Sequence, residues 1–215
     1  MAEPHRIHES RAERKERTRQ RLLDVTLALI ENKSLSSLSL REVAREAGIV
    51  PTAFYRHFDS MDDLGVALVD ESMQPLRQMV RDARRGSQNN SDIIKGTVET
   101  LARQVHANTA EFRFISRERY GGIAAVRRAI QTELRLFTSE LSVDLARLTA
   151  GHNWTSEDIE MTADLMVSAM LAIVLDLLEI DPRRRDQAAT IERAEKQLRL
   201  IALGMAGWHS QPPSR

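Results

Sequence analysis

Cysteine is absent from the 215 residues, which excludes disulfides, thiolate-held metals and cysteine nucleophiles together. Long apolar runs are missing as well. The longest, Leu165 to Leu175, is broken by Ser168 and falls short of the roughly 20 residues that a membrane span requires. The polar N-terminal stretch carries neither a secretory apolar region nor a twin-arginine pattern, and a cytoplasmic protein that does not enter a membrane is the expectation. No Walker loop, Gly-x-Ser-x-Gly elbow, His-Glu-x-x-His or dinucleotide-binding glycine pattern occurs. None of the six histidines has a glutamate three residues before it, so the Glu-x-x-His pairs with which helical bundles hold two irons are excluded. Neither an enzyme nor a resident metal or cofactor is expected. Strand signals are nearly absent too, whereas helical periodicity recurs between short polar breaks, and this predicts an all-α fold.

Net charge is the last absence, since 31 basic residues balance 31 acidic ones. The balance is not local. Residues 1–58 hold eleven Lys and Arg against eight Asp and Glu, a net +3, which leaves −3 for the remainder. Attraction for phosphate therefore sits at one end of the chain, with Arg11, Arg14, Lys15 and Arg19 as its leading residues.

The same end carries a pattern with more specific content. Ser39 and Glu42 have the spacing of a capping box, Val43, Ala44 and Ala47 repeat at helical spacing, and Gly48 can take the left-handed conformation that stops a helix. Pro51 then suits the first turn of a second helix, whose Phe54 and Phe58 point inward. This predicts a helix-turn-helix over residues 39–58. Its outer face holds Thr52, Ala53, Tyr55, Arg56 and His57, side chains that can touch phosphates and base edges, while Ser39 and Arg41 are placed to hold phosphate at the start of the first helix.

Beyond it, helix 1 is expected from about Arg11 to Asn32, a long helix from Ser60 to about Arg85, and a polar break over Gly86 to Asn90. Further helices are expected from Ser91 to Asn108, around Glu111 to Arg119, and from Ile123 to Ala150, the last ended by the Gly151 to Asn153 turn. Thr155 opens another, apolar nearly all round between Leu165 and Leu178, and after the Asp181-Pro182 break a final helix shows Ile191, Ala194, Leu198, Ile201, Ala202, Met205 and Trp208 as one stripe. Such surplus apolar surface calls for a second cover. Two copies pairing through these helices would supply it, with Met166, Met170, Ile173, Val174, Leu177, Leu198, Ile201, Met205 and Trp208 at the interface. The division expected is a helix-turn-helix domain with a basic arm over 1–59 and a helical ligand-binding and dimerisation domain over 60–215.

Val43-Ala44-x-x-Ala47-Gly48-Ile49, then Tyr55-Arg56-His57-Phe58, Ser60, an acidic pair and Leu64 resemble the TetR family of one-component repressors. Met61, Val50 and Ser34 depart from the usual pattern, which has lysine, serine and glycine there, so the lysine's phosphate contact is not carried over. The resemblance implies a homodimer that binds a palindromic double-stranded operator and a hydrophobic small-molecule effector. Phe54-Tyr-Arg-His-Phe, Asp63-Leu-Gly, Val69-Asp-Glu-Ser and Arg117-Glu-Arg119 are similar to the FabR and DesT type within it. That likeness implies a long-chain acyl-CoA effector and control of fatty-acid genes, with another hydrophobic molecule, or no effector at all, as alternatives. The expected pocket lies among the helices from 60 to 178, with Val98, Val105, Phe112, Ile115, Phe137, Leu141 and Met170 as candidate lining and plain core as the alternative for each. Arg119, with Arg117, Arg127 and Arg128, can meet the phosphates at its mouth, a solvated arginine face being the equal alternative.

Overall fold

The computed structural model describes residues 10–31, 33–86, 90–150, 153–180 and 186–210. Among these the chain forms nine α-helices: α1 (Arg11–Leu29), α2 (Leu40–Glu46), α3 (Pro51–Phe54), α4 (Met61–Gly86), α5 (Asn90–Ala107), α6 (Thr109–Glu118), α7 (Ala124–Leu148), α8 (Ser156–Glu179) and α9 (Asp186–Ala206), with a 3-10 turn at Leu35–Ser37. The all-α expectation holds. Asn32, residues 87–89 of the expected Gly86 to Asn90 break, Gly151-His152 and Asp181-Pro182 lie outside the described residues.

Helix starts follow the capping chemistry. Ser10 and Glu13 form a full capping box on α1, the serine backbone N–H donating to the glutamate at 2.6 Å. Ser60 Oγ accepts the Asp63 N–H at 3.1 Å at the start of α4, and Thr155 Oγ1 accepts the Asp158 N–H at 3.2 Å at the start of α8. The acidic residues crowded there are explained by these caps and by the helix dipole. Helix α4 runs on through Pro75, whose ring cannot donate to the carbonyl of Glu71.

Two apolar cores organise these helices. The first joins Leu22 and Leu23 of α1, Val43 of α2, Phe54 and Phe58 around α3, and Leu64 and Leu68 of α4 to Phe114 and Ile115 of α6 and to Val126 and Ile130 of α7. It runs across the expected boundary at 59 and 60, so the N-terminal helices rest on the body through continuous packing. The second joins Met79, Val98, Leu101, Val105 and Phe112 to Ile173, Val174 and Leu177 of α8 and to Ala194 and Leu198 of α9. A side chain as fully buried as Phe54 or Leu177 contributes about 1.5–3 kcal/mol.

The second core takes in part of the expected interface. Ile173, Val174, Leu177 and Leu198 lie inside the chain's own core, Met166, Met170, Ile201 and Met205 are half-buried, and of the residues expected there only Trp208 is well exposed. The face left open is turned away from them: Met161, Leu165 and Leu175 on α8 and Leu200 and Leu203 on α9, the last two 69% and 65% exposed. Helix α8 as a whole, unlike its Leu165–Leu175 stretch alone, is long and apolar enough to cross a membrane. Its inner face is spent on α5, α6, α7 and α9.

Candidate DNA-binding surface and its attachment to the body

Helix α2 begins with half of the expected capping box. Ser39 Oγ accepts the Glu42 N–H at 3.2 Å, but the Glu42 carboxylate turns to Lys33, whose Nζ donates to it at 2.5 Å. That hydrogen bond, more than any other influence, holds the Glu42 carboxyl below its ordinary range. Lys33 thus ties the stretch after α1 to α2, a contact that nothing in the local pattern announces.

The turn is made by Gly48, at φ +70°. The Ile49 N–H donates to the Ala44 carbonyl at 2.9 Å and the Gly48 N–H to that of Arg45 at 3.0 Å, the paired bonds of a Schellman ending. Pro51 occupies the first turn of α3. Regular α-helix lasts only to Phe54; beyond it the Arg56 and His57 N–H groups donate three residues back, to Ala53 and Phe54. The second helix is therefore shorter than residues 51–58.

Burial sorts this element into two faces. Phe54 and Phe58 are buried with ring centroids 5.8 Å apart, while Val50 and Tyr55 are 63% and 59% exposed. Thr52 and Arg56 are exposed with them, Ala53 and His57 are half-buried, and Ser39 and Arg41 stand exposed at the start of α2. Arg11, Arg14 and Lys15 are exposed on the opening turns of α1, so this part of the basic arm is helical. One turn further on, the Arg19 guanidinium lies 4.8 Å from the Phe58 ring centroid. His57 meets α1 in a positive setting. Its burial, and then the charges of Lys15, Arg19 and Arg56, push its pKa below the ordinary histidine range against an opposing pull from Glu16, and its Nδ1 is buried without a partner.

The head is fastened to the body by two adjacent residues at the end of α6. The Arg117 guanidinium donates to the carbonyls of Ile30 at 2.8 Å, Lys33 at 3.0 Å and Glu31 at 3.1 Å, closing the C-terminal end of α1. Next to it Glu118, 1% exposed, accepts the Leu35 N–H at 2.9 Å. Gly121 is needed beside it, because a Cβ there would fall 2.1 Å from Glu118 Oε2. Arg117 is thus a structural clasp, which corrects its expected role at a ligand's phosphates. Arg127 donates to the Gly121 carbonyl, Arg119 lies 4.9 Å from the Tyr120 ring centroid, and Arg128 is exposed.

Four of the expected ligand residues come together in one core and the others stand apart from them. Val98, Val105 and Phe112 belong to the second core with Met170 packed on it, Ile115 belongs to the first core with Phe137 packed on it, and Leu141 is half-buried on α7.

A capped helix, a glycine turn and a proline-started helix with its polar face open, set on an all-helical body, define a helix-turn-helix regulator. Residues 22–68 match the family description "Bacterial regulatory proteins, tetR family", and residues 90–207 match "Tetracyclin repressor-like, C-terminal domain". The chain belongs to the TetR family of transcriptional regulators, with a DNA-binding helix-turn-helix followed by the family's ligand-binding domain. Its fold is similar to that of the fatty acid degradation regulator FadR from Bacillus halodurans (TM-score 0.68, 14% identity, covering 84% of this chain and 94% of that one). A TetR-like transcriptional regulator from Rhodococcus sp. RHA1 is similar too (0.64, 18%, 89% and 97%), as is FadR from Bacillus subtilis in complex with stearoyl-CoA (0.67, 13%, 85% and 96%). These proteins are regulators, not enzymes.

Proposed function

We propose that the chain is a cytoplasmic repressor that binds a palindromic operator as a homodimer and responds to a long-chain acyl-CoA in the control of fatty-acid genes. The observation that carries the DNA-binding part is the open face of α3. Thr52, Tyr55 and Arg56 are exposed above buried Phe54 and Phe58, the orientation in which a short helix enters the major groove. Thr52, Ala53 and Tyr55 read the groove, Arg56 and His57 flank them, and Ser39, Arg41, Arg11, Arg14 and Lys15 hold the phosphate backbone.

Pairing is supported by the uncovered seam. The exposed positions 161, 165, 168, 172 and 175 of α8 repeat at alternating steps of four and three, the spacing of a helix that packs along a partner helix. On α9, a Cβ at Gly204 would meet nothing within 4 Å inside the chain. Gly204 lies in the last turn of α9, and its open side leaves room for a partner helix to approach closely. A dimer then fits two half-sites at one spacing only, which is how an effector that shifts the body alters affinity. Residues 1–59 act as the reading head and 60–215 as the sensing and pairing body.

The acyl-CoA part rests on the likeness of fold to the FadR that was crystallised with stearoyl-CoA and on an apolar body. An acyl chain is held by separating residues now in the second core, with Val98, Val105, Phe112 and Met170 nearest it. Replacing Tyr55 and His57 together with alanine abolishes operator retardation in a gel-shift assay while the helical content is kept; retained affinity defeats the assignment. Acyl-CoAs screened by thermal shift raise stability by about 2.7 kcal/mol at a hundredfold the dissociation constant, and no shift with any chain length defeats the effector.

A further inference from the structure

A second site stands apart from the expected acyl pocket. An open cleft of about 480 Å³ lies where α1 meets α4 and α6, lined by Leu23, Leu27, Leu68 and Pro75 on its apolar side and by Asp24, Glu71, Ser72, Gln74, Gln78, Arg81 and Glu111 on its polar side. Its charge is unbalanced. Three carboxylates face one guanidinium, and that guanidinium is turned to Gln78, with its Nη2 2.9 Å from the amide oxygen. Among the described residues none of Asp24, Glu71 and Glu111 belongs to an ion pair.

Two of the acids converge on a single nitrogen. Gln20 Nε2 donates to Asp24 Oδ1 at 3.0 Å and to Glu71 Oε1 as well, so both oxygens are already placed around one donor. A primary ammonium, with three donors and a full charge, answers that arrangement better than an amide does. Beside them Ser72, 5% exposed and lining the cleft, has a buried hydroxyl without a partner. A buried polar group left unpaired is costly, and a ligand that reaches it removes that cost. Pro75 removes the N–H that would have met the Glu71 carbonyl, a further acceptor on the same helix wall.

We infer that this cleft binds an aliphatic amine, its ammonium among Glu71, Asp24 and Glu111 and its alkyl stem along Leu23, Leu27, Leu68 and Pro75. An occupant would touch α1 of the DNA-binding head together with α4 and α6 of the body, and so bear on the angle between them. Titration calorimetry of the whole protein without DNA tests this with n-hexylamine, n-hexanol and n-hexanoate. Saturable binding of hexylamine at one site per chain is expected, at least tenfold tighter than hexanol, with none for hexanoate. Glu111→Gln, on the first turn of α6, weakens hexylamine at least fivefold with the melting curve unchanged, and Glu71→Gln weakens it further. Hexanol binding as tightly as the amine, no saturation below 50 mM, or full affinity in Glu111→Gln overturns the site. Operator binding and the acyl-CoA response in the same variants report on the proposed function separately.

Discussion

Arg117 is the perturbation whose consequences can be worked furthest. Its guanidinium makes three hydrogen bonds of 2.8–3.1 Å to carbonyls after the last turn of α1, groups that a helix end otherwise leaves to water. A buried hydrogen bond to a charged donor is worth about 1.5–3 kcal/mol, but this side chain is exposed enough for solvent to compete. Screening brings the three together to about 2 kcal/mol, and a cation at a helix C-terminus adds about 0.3–1 kcal/mol. Arg117→Ala should therefore cost about 2–3 kcal/mol, which for a chain of this size lowers Tm by about 5–10 °C. Arg117→Lys keeps the charge and loses the fork, at roughly half that cost.

Urea unfolding followed by circular dichroism measures the loss. Hydrogen exchange locates it: the Leu35 amide, held by Glu118, exchanges faster in Arg117→Ala because the clasp that keeps residues 30–35 against α6 is half undone. An Arg117→Ala variant within 0.5 kcal/mol of the parent, or one with unchanged exchange at Leu35, refutes the clasp. Equal cost for Lys and Ala would show that the C-terminal charge contributes nothing.

Gly48→Ala should cost about 1–2 kcal/mol, the penalty of a left-handed non-glycine residue, because the nearest neighbour of a Cβ there is Arg21 Nη2 at an ordinary 3.5 Å; a larger loss in urea unfolding would mean that packing, not backbone strain, makes the glycine necessary. Leu200→Glu leaves the folded single chain nearly untouched, since the side chain is 69% exposed, but places a carboxylate in the proposed seam; sedimentation velocity should show monomer, and a persisting dimer rejects the seam. His57 has a folded pKa held below its unfolded value, so its contribution to stability is full above the ordinary histidine range and is lost as pH falls through that range toward the folded value. Stability should drop between pH 7 and 5 by more in the parent than in His57→Gln, as measured by urea midpoints; parallel profiles reject the desolvated setting.

How far these features were legible in the chain depended on how local their causes are. The helix-turn-helix is written in neighbours: Ser39 meets Glu42, Gly48 and Ile49 answer Arg45 and Ala44, and Phe54 meets Phe58. Every such contact spans five residues or fewer, and backbone sterics decide it. The second half of the Ser39 capping box failed because Lys33, from outside the pattern, offers Glu42 a charged donor in place of a backbone amide. Arg117 reads equally well as part of a solvated arginine face and Glu118 carries no signal of its own, since their partners are a backbone amide and carbonyls more than 80 residues away, and backbone groups leave no mark in sequence.

The turn of α8 exposes the sharper limit. A helix with polar residues along one side declares its outer face, but between Leu165 and Leu178 Ser168 and Asp176 alone interrupt the apolar sequence. Two stripes then fit equally. One, through Ile173, Val174 and Leu177, is filled by α5 and α9 of the same chain; the other, through Met161, Leu165, Ser168, Ala172 and Leu175, is left open. Only the positions of the neighbouring helices separate them, and those depend on the whole fold. The open stripe holds Ser168 and Ala172 between its larger residues, and small side chains there let a partner backbone come close, whereas the filled stripe carries the branched residues that a finished core requires. The choice of face follows from size as well as hydrophobicity: the chain keeps its bulk for its own core and leaves open the smaller-residue surface on which the proposed pairing of two copies rests.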